Sequence, residues 1–271
     1  MPCTAYRAGV FEQPDYFQAR ESMHTIRDLP IKGFIDTSFV DWPGKICAVL
    51  FFPLCNFRCR YCHNADLVIR PDQLATIDPE GVFSRLDDLR GWIDGVCVTG
   101  GEPTLQPRLR RLLEVVREAG FQTKLDTNGS NPDVLRELID AGLLDYVAMD
   151  VKSCLDESSY CAITNAPASM LGRVCESIDL LRGGRVDYEF RMTVVPSYHG
   201  PEDIFRLARD LRGAARLRLQ NFSPGERLLD PSLNTVKPYT PEALANLQLR
   251  VDELLASGSP RDSTPFAPRC P

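Results

Sequence analysis

Three thiols fall within eight residues in Cys55-Asn56-Phe57-Arg58-Cys59-Arg60-Tyr61-Cys62. Thiolates are soft ligands that select zinc, copper(I) or iron–sulfur clusters. A structural zinc site closes with four Cys or His ligands, commonly as two separated pairs. The nearby fourth donor is His63, which adjoins Cys62 and is poorly placed to complete a tetrahedron with it. The other cysteines (Cys3, Cys47, Cys97, Cys154, Cys161, Cys175 and Cys270) form no second close pair. Cys154 and Cys161 come nearest, at a spacing that matches no zinc or ferredoxin pattern. Three ligands without a fourth suit a cubane cluster whose remaining iron is open to a substrate. A zinc knot that recruits His63 or a distant cysteine is the competing reading.

Further polar groups punctuate otherwise apolar runs. Val98-Thr99-Gly100-Gly101-Glu102-Pro103 puts two glycines, which let the backbone bend and approach a ligand, beside a carboxylate. Asp126-Thr127-Asn128-Gly129, Met149-Asp150-Val151-Lys152, Phe190-Arg191-Met192-Thr193 and Gln220-Asn221-Phe222 follow in turn. Any one of these could be a satisfied polar group in a core. Buried charge is costly unless paired, so five such runs at one level point to a shared ligand.

The elements that position these groups are legible from periodicity. Ile46 to Phe52 is near-continuously apolar, as a strand buried on both faces should be. Similar runs span 95–99, 122–127, 146–151, 188–195 and 217–222. Amphipathic helices separate them. Leu109, Leu112, Leu113 and Val116 fall at helical spacing with Gly120 as the stop, and Asn131 and Pro132 read as N-cap and first position of the next helix. Six strands alternating with helices predict an α/β fold, a partial (β/α)6 TIM-type barrel of parallel strands. Chemistry gathers at the C-terminal ends of such strands, which is where every motif above lies.

The chain has 271 residues and a net charge of −6, which argues against a chain-wide grip on nucleic acid. No apolar run is long enough for a membrane helix, and the N-terminus lacks the apolar core of a secretory signal. A cytoplasmic protein is expected, in which ten cysteines stay largely reduced. Residues 1–24 read as a poorly ordered extension, with Met23 an alternative start, 25–256 as the domain, and the Ser- and Pro-rich stretch 257–271 as a disordered tail.

CNFRCRYCHN, GGEP, DTNG and MDVKS together resemble radical S-adenosylmethionine enzymes of the group that activates glycyl radical enzymes. The resemblance covers about residues 31–222, and KGFIDTSFVDWPGKI looks most like activating proteins of anaerobic ribonucleoside-triphosphate reductase. It implies one [4Fe–4S] cluster on Cys55, Cys59 and Cys62, with S-adenosylmethionine chelating the open iron. It places Tyr61 and His63 near the adenine, and Gly100, Gly101 and Glu102 at the methionyl amino group. Asp126, Thr127, Asp150 and Lys152 would line the methionine and ribose side, with Arg191 positioning the cofactor. In relatives the aspartates matching Asp126 and Asp150 can also hold a cation. The implied reaction is reductive cleavage of S-adenosylmethionine and hydrogen abstraction from a glycine of a partner enzyme, fed by flavodoxin or ferredoxin. None of His24, His63 and His199 needs a catalytic role, and His199 is expected in a loop at the rim. Many relatives carry Gly directly before the first cysteine, where this chain has Pro53-Leu54; residues 64–96 hold no cysteine for a second cluster. Activation of pyruvate formate-lyase, and radical chemistry on a small molecule or peptide, remain alternatives.

Overall fold

The structure is a computed structural model that describes residues 26–225 and 228–257. The extension expected over 1–24, the alternative start at Met23, and all but the first residue of the expected tail lie outside the described residues.

Seven strands form one sheet in sequence order: β1 (Gly33–Ser38), β2 (Cys47–Phe52), β3 (Gly95–Gly100), β4 (Gln122–Thr127), β5 (Tyr146–Asp150), β6 (Asp187–Val194) and β7 (Leu217–Asn221). The expected six parallel strands are β2 to β7. To these the structure adds β1, antiparallel to β2, with a register shift between Ile35 and Ser38. β1 and β7 are the two edges, so the barrel is partial. The sequence reading missed β1 because Gly-Phe-Ile-Asp-Thr-Ser is an edge strand, mostly half-exposed, without the apolar run of a central one.

The helices are α1 (Ala65–Ile69), α2 (Pro79–Asp88), α3 (Leu109–Glu118), α4 (Pro132–Asp140), α5 (Glu157–Thr164), α6 (Ser169–Arg182), α7 (Pro201–Asp210) and α8 (Pro241–Ala256). On α3 the predicted stripe Leu109, Leu112, Leu113 and Val116 is buried, each side chain contributing about 1.5–3 kcal/mol. Gly120 follows at φ +88, a conformation that costs glycine little. At α4, Pro132 takes the first turn as expected, but Asn131 does not cap it. Its amide instead donates to Thr104 Oγ1 at 2.8 Å, tying this helix to the turn after β3. Functional caps are Asp78 on α2, Asp156 on α5 and Thr240 on α8, each accepting backbone N–H groups.

Alternate residues of a strand face opposite sides, and the two faces differ here. Val96, Val98, Leu125, Val147, Met149, Phe190 and Met192 pack into the main core with the helices. The opposite row holds Cys97 paired with Lys124, Asp126 with Ala148, and Asp150 with Arg191. Below that row Trp42, Cys47, Val49 and Cys97 form a separate small apolar cluster. At the β7 edge, Gln248 of α8 accepts from Leu219 N and donates to Leu217 O, both at 2.8 Å. Among the described residues no helix is long and apolar enough to cross a membrane.

Candidate active site

The cysteine loop leaves β2 through Pro53 and Leu54. Leu54 adopts φ +68, the left-handed conformation that glycine takes readily and other residues at a cost of about 1–2 kcal/mol. The backbone path here is one a glycine could follow without that strain. Leu54 N donates to Leu67 O at 2.9 Å, and its side chain is half exposed. Leu54→Gly should therefore stabilise the protein, by about 0.5–1 kcal/mol after the added freedom of the unfolded chain is subtracted. Urea unfolding checks this; a loss of stability would mean that the leucine side chain contributes more than its backbone strain costs.

The two glycines after β3 serve this loop. Gly100 has φ +124, and a Cβ there would overlap the backbone of Phe52; a Cβ on Gly101 would overlap the Leu54 carbonyl. Gly101 N donates to Phe52 O at 2.9 Å and Glu102 N to Leu54 O at 2.8 Å. The glycines thus let two loops touch, in addition to lining the cavity beyond them. Asn64 clasps the same turn, its amide donating to Gly100 O at 2.9 Å.

A cavity of about 240 Å³ opens at these strand ends. Cys55, Cys59 and Cys62 line it together with Tyr61, His63, Gly100, Gly101, Asp126, Thr127, Asp150, Lys152 and Arg191. Burial pushes the Cys55 thiol up to about 11 and the Cys59 thiol up to about 12, and raises Cys62 as well. All eight described cysteines are free. Among the described residues no three His, Cys, Asp or Glu side chains converge to hold a single metal ion. A zinc knot needs such convergence, whereas the thiolates of a cubane each bind a different iron.

A chain of ion pairs reaches the same cavity. Lys124 Nζ contacts Asp126 Oδ1, Arg191 joins Asp126 Oδ2 at 3.1 Å to Asp150 Oδ1 at 2.9 Å, and Lys152 Nζ meets Asp150 Oδ2 at 3.0 Å. Burial works to raise the Asp150 carboxyl, but Arg191 and Lys152 outweigh it and hold it far below the usual carboxylate range. Lys152 Nζ also lies 5.9 Å from the centre of the Tyr61 ring. The cation expected near Asp126 and Asp150 meets a different arrangement, because Arg191 bridges the two carboxylates.

The structure adds detail at three of the expected residues. Glu102 is fully buried and lies outside the cavity lining. Its Oε1 accepts from Thr127 Oγ1 at 2.8 Å and from the Thr104 N–H, and its Oε2 accepts from Asn128 N at 2.7 Å. The carboxylate knits the ends of β3 and β4 together instead of facing a ligand. His63 lines the cavity but bonds Ser223 O at 2.7 Å, joining the cysteine loop to the segment after β7. Tyr61 is buried, and its hydroxyl has no hydrogen-bond partner there.

His199 is not a rim residue. It is fully buried, its Nδ1 accepts from Val195 N at 3.1 Å, and its Nε2 has no hydrogen-bond partner. The rim reading failed because Pro-Ser-Tyr-His-Gly-Pro looks like a surface turn, whereas Tyr239 of a later segment covers it, its hydroxyl donating to His199 O at 3.1 Å. Burial lowers the imidazole from 6.5 to about 4, with Asp203 and the Lys152 and Thr193 backbones offsetting part of that. The unfolded chain takes up this proton near pH 6.5, the native protein near pH 4. Its contribution to stability is therefore complete above about pH 6.5 and falls by about 3 kcal/mol as pH drops towards 4. Wild type should lose about that much more than His199→Gln between pH 7 and pH 4 in urea unfolding; parallel losses would assign the titration elsewhere.

Sequence reasoning missed Lys124, Asn128 and Asn64. Lys124 carried a signal: two residues before Asp126 in a strand, it had to share Asp126's face. Asn128 donates to Asn56 Oδ1 at 3.0 Å and lines the cavity, a cross-loop pairing that no local pattern announces.

The chain matches the radical SAM superfamily model over residues 49–211. It is 34% identical over 196 residues to a putative glycyl-radical enzyme activating enzyme of Methanocaldococcus jannaschii, covering 72% of this chain and 80% of that protein. It is 28% identical to the pyruvate formate-lyase-activating enzyme of Clostridium pasteurianum, covering 80% and 94%. Among solved structures, Streptococcus suis SuiB bound to S-adenosylmethionine aligns with a TM-score of 0.55 at 17% identity, over 76% of this chain and 48% of that one. The chain belongs to the radical SAM superfamily. It is thus an enzyme of radical chemistry, and its cofactors are a [4Fe–4S] cluster and S-adenosylmethionine. The site fits them: three soft donors share one cavity lining with charged and polar groups and with a phenol whose hydroxyl has no hydrogen-bond partner.

Proposed function

We propose that the protein generates a glycyl radical on a partner enzyme, and that the partner is anaerobic ribonucleoside-triphosphate reductase. The observation that carries this reading is the meeting of the three thiols and the ion-pair chain around one cavity at the strand ends. In it Cys55, Cys59 and Cys62 would hold the cluster, and the cavity they line would take S-adenosylmethionine beside it. When bound, the cluster supplies the electron that opens the sulfonium and starts hydrogen abstraction. Flavodoxin or ferredoxin in the cytoplasm is the donor.

The chain's residues bind and orient. Gly100 and Gly101 present backbone to the methionyl amino group, and Glu102 holds that backbone through Thr104, Thr127 and Asn128. Tyr61 lies along the adenine, with His63 fixing the segment beyond β7. Asp150, Lys152, Asp126 and Thr127 face the ribose and methionine side, and Arg191 keeps both aspartates in place. No general base is required.

The partner assignment rests on the resemblance of residues 36–45. These include the end of β1 and the turn into β2, where Ser38 pairs with Cys47 at the strand end remote from the cavity. They support the choice by likeness and not by contact with the site. The test is electron paramagnetic resonance of the candidate reductase after anaerobic incubation with reconstituted protein, reductant and S-adenosylmethionine. A glycyl doublet is expected. Cleavage of S-adenosylmethionine with no doublet on the reductase, but with one on pyruvate formate-lyase, would reassign the partner. Cleavage with neither would point to a small molecule or peptide.

A further inference from the structure

We infer that this chain carries its own cation: the Lys124 ammonium, with the Arg191 guanidinium, takes the place of a metal ion between Asp126 and Asp150. The site then needs no added mono- or divalent cation. This rests on the reading of the cavity as a S-adenosylmethionine site, because the matching aspartates of relatives can hold a cation there.

Each of the four carboxylate oxygens already has a cationic partner. Asp126 Oδ1 is held by Lys124 and Oδ2 by Arg191; Asp150 Oδ1 is held by Arg191 and Oδ2 by Lys152. Thr99 Oγ1 donates a further, longer bond to Asp126 Oδ2 at 3.4 Å. Three positive side chains (Lys124, Arg191, Lys152) face two negative ones (Asp126, Asp150), a surplus of one positive charge. Hard cations are held by several oxygen ligands, carboxylates foremost. Here a metal ion would have to displace an ion pair and would add to charge already in excess.

Lys124 is built for the substitution. Its side chain is fully buried, on the same strand and the same face as Asp126, with Cys97 Sγ 3.5 Å from Nζ. Burial alone would favour a neutral amine, yet Asp126 beside it more than offsets this and keeps the ammonium charged. An ammonium has the charge of sodium or potassium, and its tether keeps it at the site at any dilution.

The test compares full-length wild type and Lys124→Met in sodium, potassium and choline chloride at equal ionic strength, by thermal unfolding and by 23Na line width, without cluster or S-adenosylmethionine. Wild type should unfold at one temperature in all three and leave the sodium line unbroadened. Lys124→Met should gain about 3 °C or more in sodium or potassium relative to choline, with excess broadening, because an ion now binds the native state. A wild type that itself responds would overturn the inference, as would a folded Lys124→Met that does not. Should Lys124→Met fail to fold, Lys124→Gln repeats the comparison, and the wild-type sodium line decides by itself. Absence of S-adenosylmethionine cleavage in a wild type blind to cations would count against the proposed function and not against this inference.

Discussion

Cys59→Ala should leave the protein folded and unable to hold its cluster, so that anaerobic reconstitution yields far fewer than about four irons per chain and cleavage of S-adenosylmethionine disappears. Cys59 is the most deeply buried of the three thiols, with 8% of its surface exposed, and sits between the other two in the loop. Its removal leaves two ligands where the site has three. The oxygen and nitrogen groups that share the lining are harder donors than a thiolate and do not replace it. Cys161→Ala is the control, since that thiol is free and lies outside the cavity. Iron content and ultraviolet-visible absorption read the first effect, and 5′-deoxyadenosine by chromatography the second. A normal cluster in Cys59→Ala would remove the ligand assignment.

Arg191→Met should have the largest effect on the fold. The arginine is 13% exposed and joins Asp126 to Asp150 through two different nitrogens. Removing one partner from a buried ion pair costs about 3–5 kcal/mol, because the charge left behind stays desolvated. Lys124 and Lys152 would each still hold one aspartate, so the loss should fall towards the low end of that range, near 3 kcal/mol in urea unfolding. Arg191→Lys should recover only part of it: an ammonium is a point charge and cannot reach both carboxylates with the planar fork of a guanidinium. Full recovery in Arg191→Lys would show that charge alone, without the bridge, holds the two strands' aspartates.

The six parallel strands were legible because apolar residues recur along each of them between turn and helix signals, with polar residues breaking most of these runs. The same breaks exposed Asp126, Asp150, Lys152 and Arg191, which the structure brings to one cavity. What the sequence could not show is direction and depth. Glu102 reads as a ligand from its glycine neighbours, yet three later donors claim its oxygens. His199 reads as a turn residue, yet a tyrosine forty positions on covers it. Asn131 reads as a cap, yet its amide finds a threonine in another loop. In each case the deciding partner is distant in sequence. β1 escaped for the opposite reason, its half-exposed edge having no apolar signature.

Gln248 bears on a hazard that has nothing to do with cofactors. Leu219 N and Leu217 O point outward from β7, the position from which a sheet ordinarily recruits another strand. The Gln248 amide has one acceptor and a donor pair, and it answers both groups as a neighbouring peptide would. A nascent or misfolded chain passing this edge therefore finds no vacant hydrogen bonds at these two residues. The glutamine acts as a one-residue imitation strand that ends the sheet. At these two residues the flank of the sheet therefore offers a passing strand nothing to pair with.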